Sequence, residues 1–218
     1  MISMNKFKIV FWDFDGVIKE SVDVKTQAFV DIFKEYGPEL TQKVKKHHID
    51  NGGMSRFEKI PLYASWAGLE LNEEEIMNYS SRFSEIAVRK VIDSIWVLGV
   101  QEVLRGNPFG QKFILVSATP EEELLFILKE LDLSNCFVSI FGSPMPKKIA
   151  IERSINQFSA KAEECVMIGD AKADMEAADA NHINFILRLH DLNQNMKELY
   201  KGFSVQNFIK YESFYTNK

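Results

Sequence analysis

Four short apolar runs, each closed by a polar turn, constrain this chain more than any other feature. Lys8-Ile9-Val10-Phe11-Trp12 runs straight into Asp13-Phe14-Asp15-Gly16. Phe113-Ile114-Leu115-Val116, Cys165-Val166-Met167-Ile168 and Asn184-Phe185-Ile186-Leu187 follow much later, with a weaker candidate at Phe137 to Phe141. A continuous apolar run of this length reads as a strand buried on both faces, because a half-exposed strand would alternate polar and apolar side chains. Helical patterns separate the runs, at Pro120 to Leu131, Lys147 to Phe158 and Ala171 to Ala180; the first has proline and Glu121, Glu122 and Glu123 in its opening turn. Strand, turn and helix repeated in this way predict an α/β fold, an open parallel sheet with helices on both faces. Ligands of such sheets bind at the carboxyl ends of the strands.

From Glu20 to Lys90 the rhythm breaks. Apolar residues fall at helical spacing (Val24, Ala28, Phe29, Ile32, Phe33; then Ile60, Tyr63, Ala64, Ala67) with no convincing strand between them. The interval reads as an inserted helical subdomain, so residues 20–93 form a cap and residues 1–19 and 94–218 form the core. Asp93 to Gly99 is the return linker and Val100 to Leu104 part of a helix. The tail after Gly202 is expected to add one short helix against the sheet edge.

Composition narrows the partners. With 26 basic and 31 acidic residues the net charge is −5, which supplies no general field for nucleic acid or an anionic membrane. The longest apolar run, Leu124 to Leu128, falls far short of the ~18 residues that cross a bilayer. No secretory pattern precedes the first strand, so a cytoplasmic protein is expected. Cys136 and Cys165 sit in apolar surroundings and read as reduced core thiols. A small-molecule substrate and a monomer or weak homodimer are the expectation.

The chemistry lies at the strand ends. Asp13 and Asp15, one residue apart after a strand, bring two like charges together, and a hard divalent cation is the usual remedy. An Asp-rich turn is the plain alternative. Ser117 ends the second run beside the Ala118 and Thr119 N–H groups, where an anion can be held, though an ordinary helix cap has the same look. Asp170 ends the third run and Asp174 lies one helical turn on, able to face the same ion. Lys147 opens a helix, where its charge opposes the dipole and calls for an anionic neighbour. Lys148 is the alternative, but four residues on from it stands Glu152, whereas four on from Lys147 stands the apolar Ile151.

These residues resemble the motifs of the haloacid dehalogenase-like hydrolases. Asp13-Phe14-Asp15-Gly16-Val17 resembles the first motif and Leu115-Val116-Ser117-Ala118-Thr119 the second. Lys147 resembles the third, and Gly169-Asp170-Ala171-Lys172-Ala173-Asp174 the fourth, all in the family's order. The resemblance implies a Rossmann-like core carrying a helical cap. It also implies a Mg2+-dependent phosphatase of a small phosphorylated metabolite, plausibly a sugar phosphate. Asp13 would be the nucleophile that forms an aspartyl-phosphate and Asp15 the general acid and base. Ser117, Ala118 and Lys147 would bind the phosphoryl group. Asp13, Asp15 through its carbonyl, Asp170 and Asp174, directly or through water, would hold the metal. Asp15 argues for phosphoryl transfer, since dehalogenating members lack a carboxylate there.

In the cap, Gly52-Gly53-Met54-Ser55-Arg56 resembles the segment through which capped members touch their substrates, and Arg56 is the expected substrate contact. His47, His48, Asn51 and Lys59 lie nearby in sequence, more simply read as solvated. The β-phosphoglucomutase branch is similar around Gly16-Val17-Ile18 and Ser55-Arg56, but it carries a histidine where this chain has Lys25, which weakens a phosphomutase reading. A degenerate, non-catalytic binder of the same fold is the other alternative.

Overall fold

The computed structural model describes residues 2–214; Met1 and residues 215–218, the outermost parts of the expected core segments, lie outside the described residues. Six strands form one wholly parallel sheet in the order β4-β3-β2-β5-β6-β7. They are β2 (Ile9–Trp12), β3 (Lys112–Pro120), β4 (Ser139–Ser143), β5 (Cys165–Gly169), β6 (Asn184–Arg188) and β7 (Phe203–Val205). A separate antiparallel pair joins β1 (Ile2–Ser3) to β8 (Ser213–Phe214). The chain runs outward from the central β2 in both directions, so its topological switch point lies where β2 ends in Asp13.

The apolar runs are explained by burial on both faces. Val10, Trp12, Phe113, Leu115, Val166 and Ile168 face one layer, packed by α5 (Val100–Gly106) and α6 (Glu121–Glu130). Ile9, Phe11, Ile114, Val116, Cys165 and Met167 face the other, packed by α7 (Lys147–Gln157) and α8 (Lys172–Ala180). Alternate residues of one strand thus enter two cores, and neither set can be polar.

Between β2 and β3 lie α1 (Val22–Phe33), α2 (Pro38–Asp50), α3 (Arg56–Trp66) and α4 (Glu73–Asp93). They share a third apolar cluster of their own, with Phe29, Phe33, Val44, Ile60, Tyr63 and Phe83 at its centre. Asn72 starts α4 with a capping box, accepting from the Glu75 N–H at 3.0 Å while Glu75 accepts from the Asn72 N–H at 2.8 Å. The end of α4 returns to the sheet, where Val91 and Ile92 join the core layer of α5 and α6.

Two expectations are corrected. Pro120 does not open a helix: its extended backbone (φ −52°, ψ 137°) ends β3 opposite Ser143, and α6 starts at Glu121. After Gly202 the chain adds strand β7, parallel to β6, instead of a helix; the short α9 (Met196–Leu199) precedes it. Three residues, Phe203-Ser204-Val205, are too few to display a period. Among the described residues, no helix is long and apolar enough to cross a membrane.

Candidate active site

The strand ends singled out in the sequence converge on one crevice between the sheet and the inserted helices. Asp13, Asp15, Ser117, Ala118, Lys147 and Asp170 line it from the sheet, and Lys25, His48, Arg56 and Lys59 from the helices, around a cavity of about 50 Å3.

Its floor is acidic. Asp13, Asp170 and Asp174 are all buried, and one carboxylate oxygen of each lies within 4.8 Å of the others. Lys147 Nζ sits between two of them, 2.9 Å from Asp13 Oδ1 and 2.6 Å from Asp174 Oδ1. This contact singles out Lys147 over the exposed Lys148 and supplies the anionic neighbours that its place at a helix start demands. One ammonium does not offset three buried carboxylates. Burial, then the Asp174 charge, pushes Asp13 up to about 7 against the pull of Lys147. Burial also raises Asp170 and Asp174. Burial opposes the charge of Lys147, but Asp13 and Asp174 outweigh it and hold its pKa above the ordinary lysine value.

These donors suit a hard divalent cation: the cluster is all carboxylate and carries uncompensated negative charge. The Asp15 carboxylate takes no part in this cluster. Instead Asp15 Oδ2 lies 2.5 Å from Lys25 Nζ, and Asp15 Oδ1 accepts from the Ser21 hydroxyl at 2.6 Å. Burial works against its ionisation, yet Lys25 and Ser21 hold its carboxyl below the usual range. Two carboxylates one residue apart are thereby set in opposite electrostatic surroundings.

Two glycines make the cluster sterically possible. Gly16 adopts φ +72°, and a Cβ there would lie 2.4 Å from Asp170 Oδ2. A Cβ on Gly169 would lie 2.3 Å from the Cβ of Asp174, whose Oδ2 accepts the Ala171 N–H at 3.1 Å and ties it to the start of α8. Gly169→Ala is therefore expected to destabilise the fold by about 1–3 kcal/mol, the usual cost of overpacking. Urea unfolding checks this, and an unchanged midpoint would contradict the close approach.

Ser117 is buried on β3, donates to Thr119 Oγ1 and accepts the Thr119 N–H, both at 3.1 Å. Thr119 Oγ1 also accepts from Lys25 Nζ at 2.7 Å, linking the second strand end to Asp15 through the cap. Arg56 lines the cavity, but its guanidinium is engaged: it lies 2.5 Å from Glu123 Oε1 on α6, donates to Ser84 Oγ at 2.7 Å and covers the Phe83 ring. This buried pair ties the inserted helices to the sheet domain. Its loss by truncating one partner costs far more than a surface pair is worth, about 3–5 kcal/mol against at most about 1.

Several site residues escaped the sequence reading. His190 Nε2 lies 2.9 Å from Asp170 Oδ2, and Asn193 Nδ2 donates to the Asp170 carbonyl at 2.7 Å, so the loop after β6 orients this aspartate. The rule that strand ends carry function would have found them, since they follow the fourth apolar run. Lys59 and His48, which the sequence names beside Arg56 but reads more simply as solvated, are buried in the cavity wall, Lys59 Nζ 3.0 Å from His48 Nδ1. Burial, and then Lys25, pulls Lys59 down to about 7, while burial and Lys59 hold His48 well below its ordinary value. His47 points elsewhere, its Nδ1 3.1 Å from the Tyr63 hydroxyl, as the ~100° step between helical neighbours requires. Asn51 closes α2 by donating to the His47 carbonyl.

Comparison with known proteins places this geometry. A phosphorylated carbohydrates phosphatase from Thermotoga maritima is 25% identical over 201 residues, covering 88% of this chain and 90% of its own length. A crystal structure described as a predicted phosphoglycolate phosphatase, from Haemophilus somnus 129PT, superposes with a TM-score of 0.73 at 16% identity, over 94% of this chain and 96% of that one. A β-phosphoglucomutase from Clostridium difficile superposes with a TM-score of 0.72 at 19% identity, over 94% of each chain. At such identities the two superpositions speak for the fold alone. The model of the family described as haloacid dehalogenase-like hydrolase matches residues 10–188, a span running from β2 through the acidic cluster to the end of β6. By that match the chain belongs to the haloacid dehalogenase-like hydrolases.

Proposed function

We propose that the protein is a Mg2+-dependent phosphatase that hydrolyses a small phosphorylated metabolite through an aspartyl-phosphate on Asp13. The observation that carries this reading is the division of labour between the paired aspartates, Asp13 in the acidic cluster and Asp15 against Lys25. The similarity to a phosphatase of phosphorylated carbohydrates points the same way and makes sugar phosphates the first class to test.

Asp13, Asp170 and Asp174, with the Asp15 carbonyl, would hold Mg2+. When bound, the cation offsets the clustered negative charge and draws charge from a phosphoryl oxygen. Asp13 attacks phosphorus in line, and water then releases phosphate from its carboxyl group, so one hard step becomes two. Asp15 gives a proton to the leaving oxygen in the first step and takes one from water in the second. Lys25, bonded to Asp15 Oδ2, fixes the position of that carboxyl group. Ser117, the Ala118 N–H and Lys147 bind the remaining phosphoryl oxygens, the positioning and electrostatic work that dominates phosphoryl transfer.

Phosphate release from a panel of phosphorylated metabolites, with Mg2+ and with chelator, tests this reading. Mg2+-dependent release of inorganic phosphate is expected; isomerised product needing a bisphosphate primer would mean a phosphomutase, and no turnover of any ester would remove the proposal. The raised Asp13 pKa adds a pH dependence. Below about 7 a proton holds the carboxylate the metal needs, so the Mg2+ concentration for half-maximal activity is expected to rise as pH falls, by about fivefold between pH 7 and pH 6. A midpoint that stays constant over that interval contradicts it.

A further inference from the structure

The cations that line the cavity are not equivalent. Lys147 is paired with Asp13 and Asp174, Lys25 with Asp15 and Arg56 with Glu123. Lys59 is 1% exposed, and among the described residues no carboxylate lies within ion-pair distance of it. Among the described residues its one hydrogen-bond partner is His48 Nδ1, a neutral acceptor, and the Phe29 ring lies 5.9 Å from its nitrogen. An ammonium that has left water with only one neutral acceptor lacks the counter-ion that usually justifies such burial. It lines the same cavity as Asp13 from the cap side, where the charges of Asp15 and Asp170 reach it but neither carboxylate is in contact with it, so the space left for a contacting anion is the cavity itself.

We propose that Lys59, braced by His48, is a specificity-determining residue whose ammonium takes a second anionic group on the leaving-group side of the substrate. The preferred substrate is then a short phosphomonoester that carries a carboxylate or a second phosphoryl group. This rests on the phosphatase reading above. It moves the contact expected of Arg56 to the neighbouring turn of α3, because Arg56 is already satisfied by Glu123 and Ser84.

Three two-carbon esters test it: 2-phosphoglycolate, ethylene glycol bisphosphate and the neutral 2-hydroxyethyl phosphate. In the native protein kcat/KM for at least one charged ester is expected to exceed that for the neutral ester by about 30-fold or more, the size of a desolvated charge-assisted contact. The larger of the two ratios identifies the anion. Lys59→Met is expected to bring that ratio to within about threefold of one, and Lys59→Arg to retain most of it. Equal kcat/KM for all three esters in the native protein, a test that needs no variant, overturns the proposal. So does an unchanged ratio in a folded Lys59→Met protein. Should none of the esters be hydrolysed, the phosphatase reading falls separately. Calorimetric binding of the same esters to the native protein then decides the subsite: tighter binding of a charged ester supports it, and equal binding overturns it.

Discussion

Asp13→Asn is expected to lower phosphate release by at least about a thousandfold at saturating Mg2+, because a covalent step that loses its nucleophile has no cheap bypass. The substitution removes one negative charge from the buried cluster, which also relieves repulsion among carboxylates that burial holds above their ordinary pKa values. The variant should therefore fold as well as the native chain or better, so lost activity cannot be ascribed to unfolding. Steady-state kinetics beside a thermal melt provide the check. A stable Asp13→Asn protein, free of native contaminant, that retains more than about a tenth of the activity contradicts the assignment.

Asp15→Asn is expected to cost about a hundredfold to ten-thousandfold, the range that general acid and base catalysis contributes. The size should depend on the leaving group. An alkyl phosphate needs a proton on its departing oxygen, whereas p-nitrophenyl phosphate releases an anion that is already stable. The loss is therefore expected to be at least about tenfold greater for the alkyl ester. Equal losses would mean that the effect reaches the reaction through Lys25, which the substitution deprives of its ion pair, and not through proton transfer.

The sheet was legible in the sequence because each central strand is buried on both faces. Two cores force continuous apolar runs, and an apolar run ended by aspartate or serine marks the rim where ligands bind. That logic placed Asp13, Ser117 and Asp170 on one crevice, with Lys147 and Asp174 at the starts of the following helices. The same logic reaches His190 once the strand Asn184–Arg188 is allowed a functional end like the others. The cap was legible only as helices. Which of its cations would enter the crevice depends on how α1, α2 and α3 dock on the sheet, and helical periodicity does not encode that angle. For this reason His48 and Lys59 read as solvated and Lys25 as no more than a departure from a related pattern, and Arg56 could be placed near the site without revealing that Glu123, 67 residues away, engages it. The edge strand Phe203–Val205 failed on length, since three residues show no alternation that a loop could not share.

The central claim is that the Asp13 carboxylate becomes covalently phosphorylated during turnover. Rapid quenching with a reactive ester in the presence of Mg2+, reduction of any acyl phosphate with borohydride and peptide mass spectrometry would read this out. The account predicts reduction of Asp13 to homoserine only when substrate is present. Modification of a different residue, or turnover with no modification of Asp13 at any quench time, would contradict it.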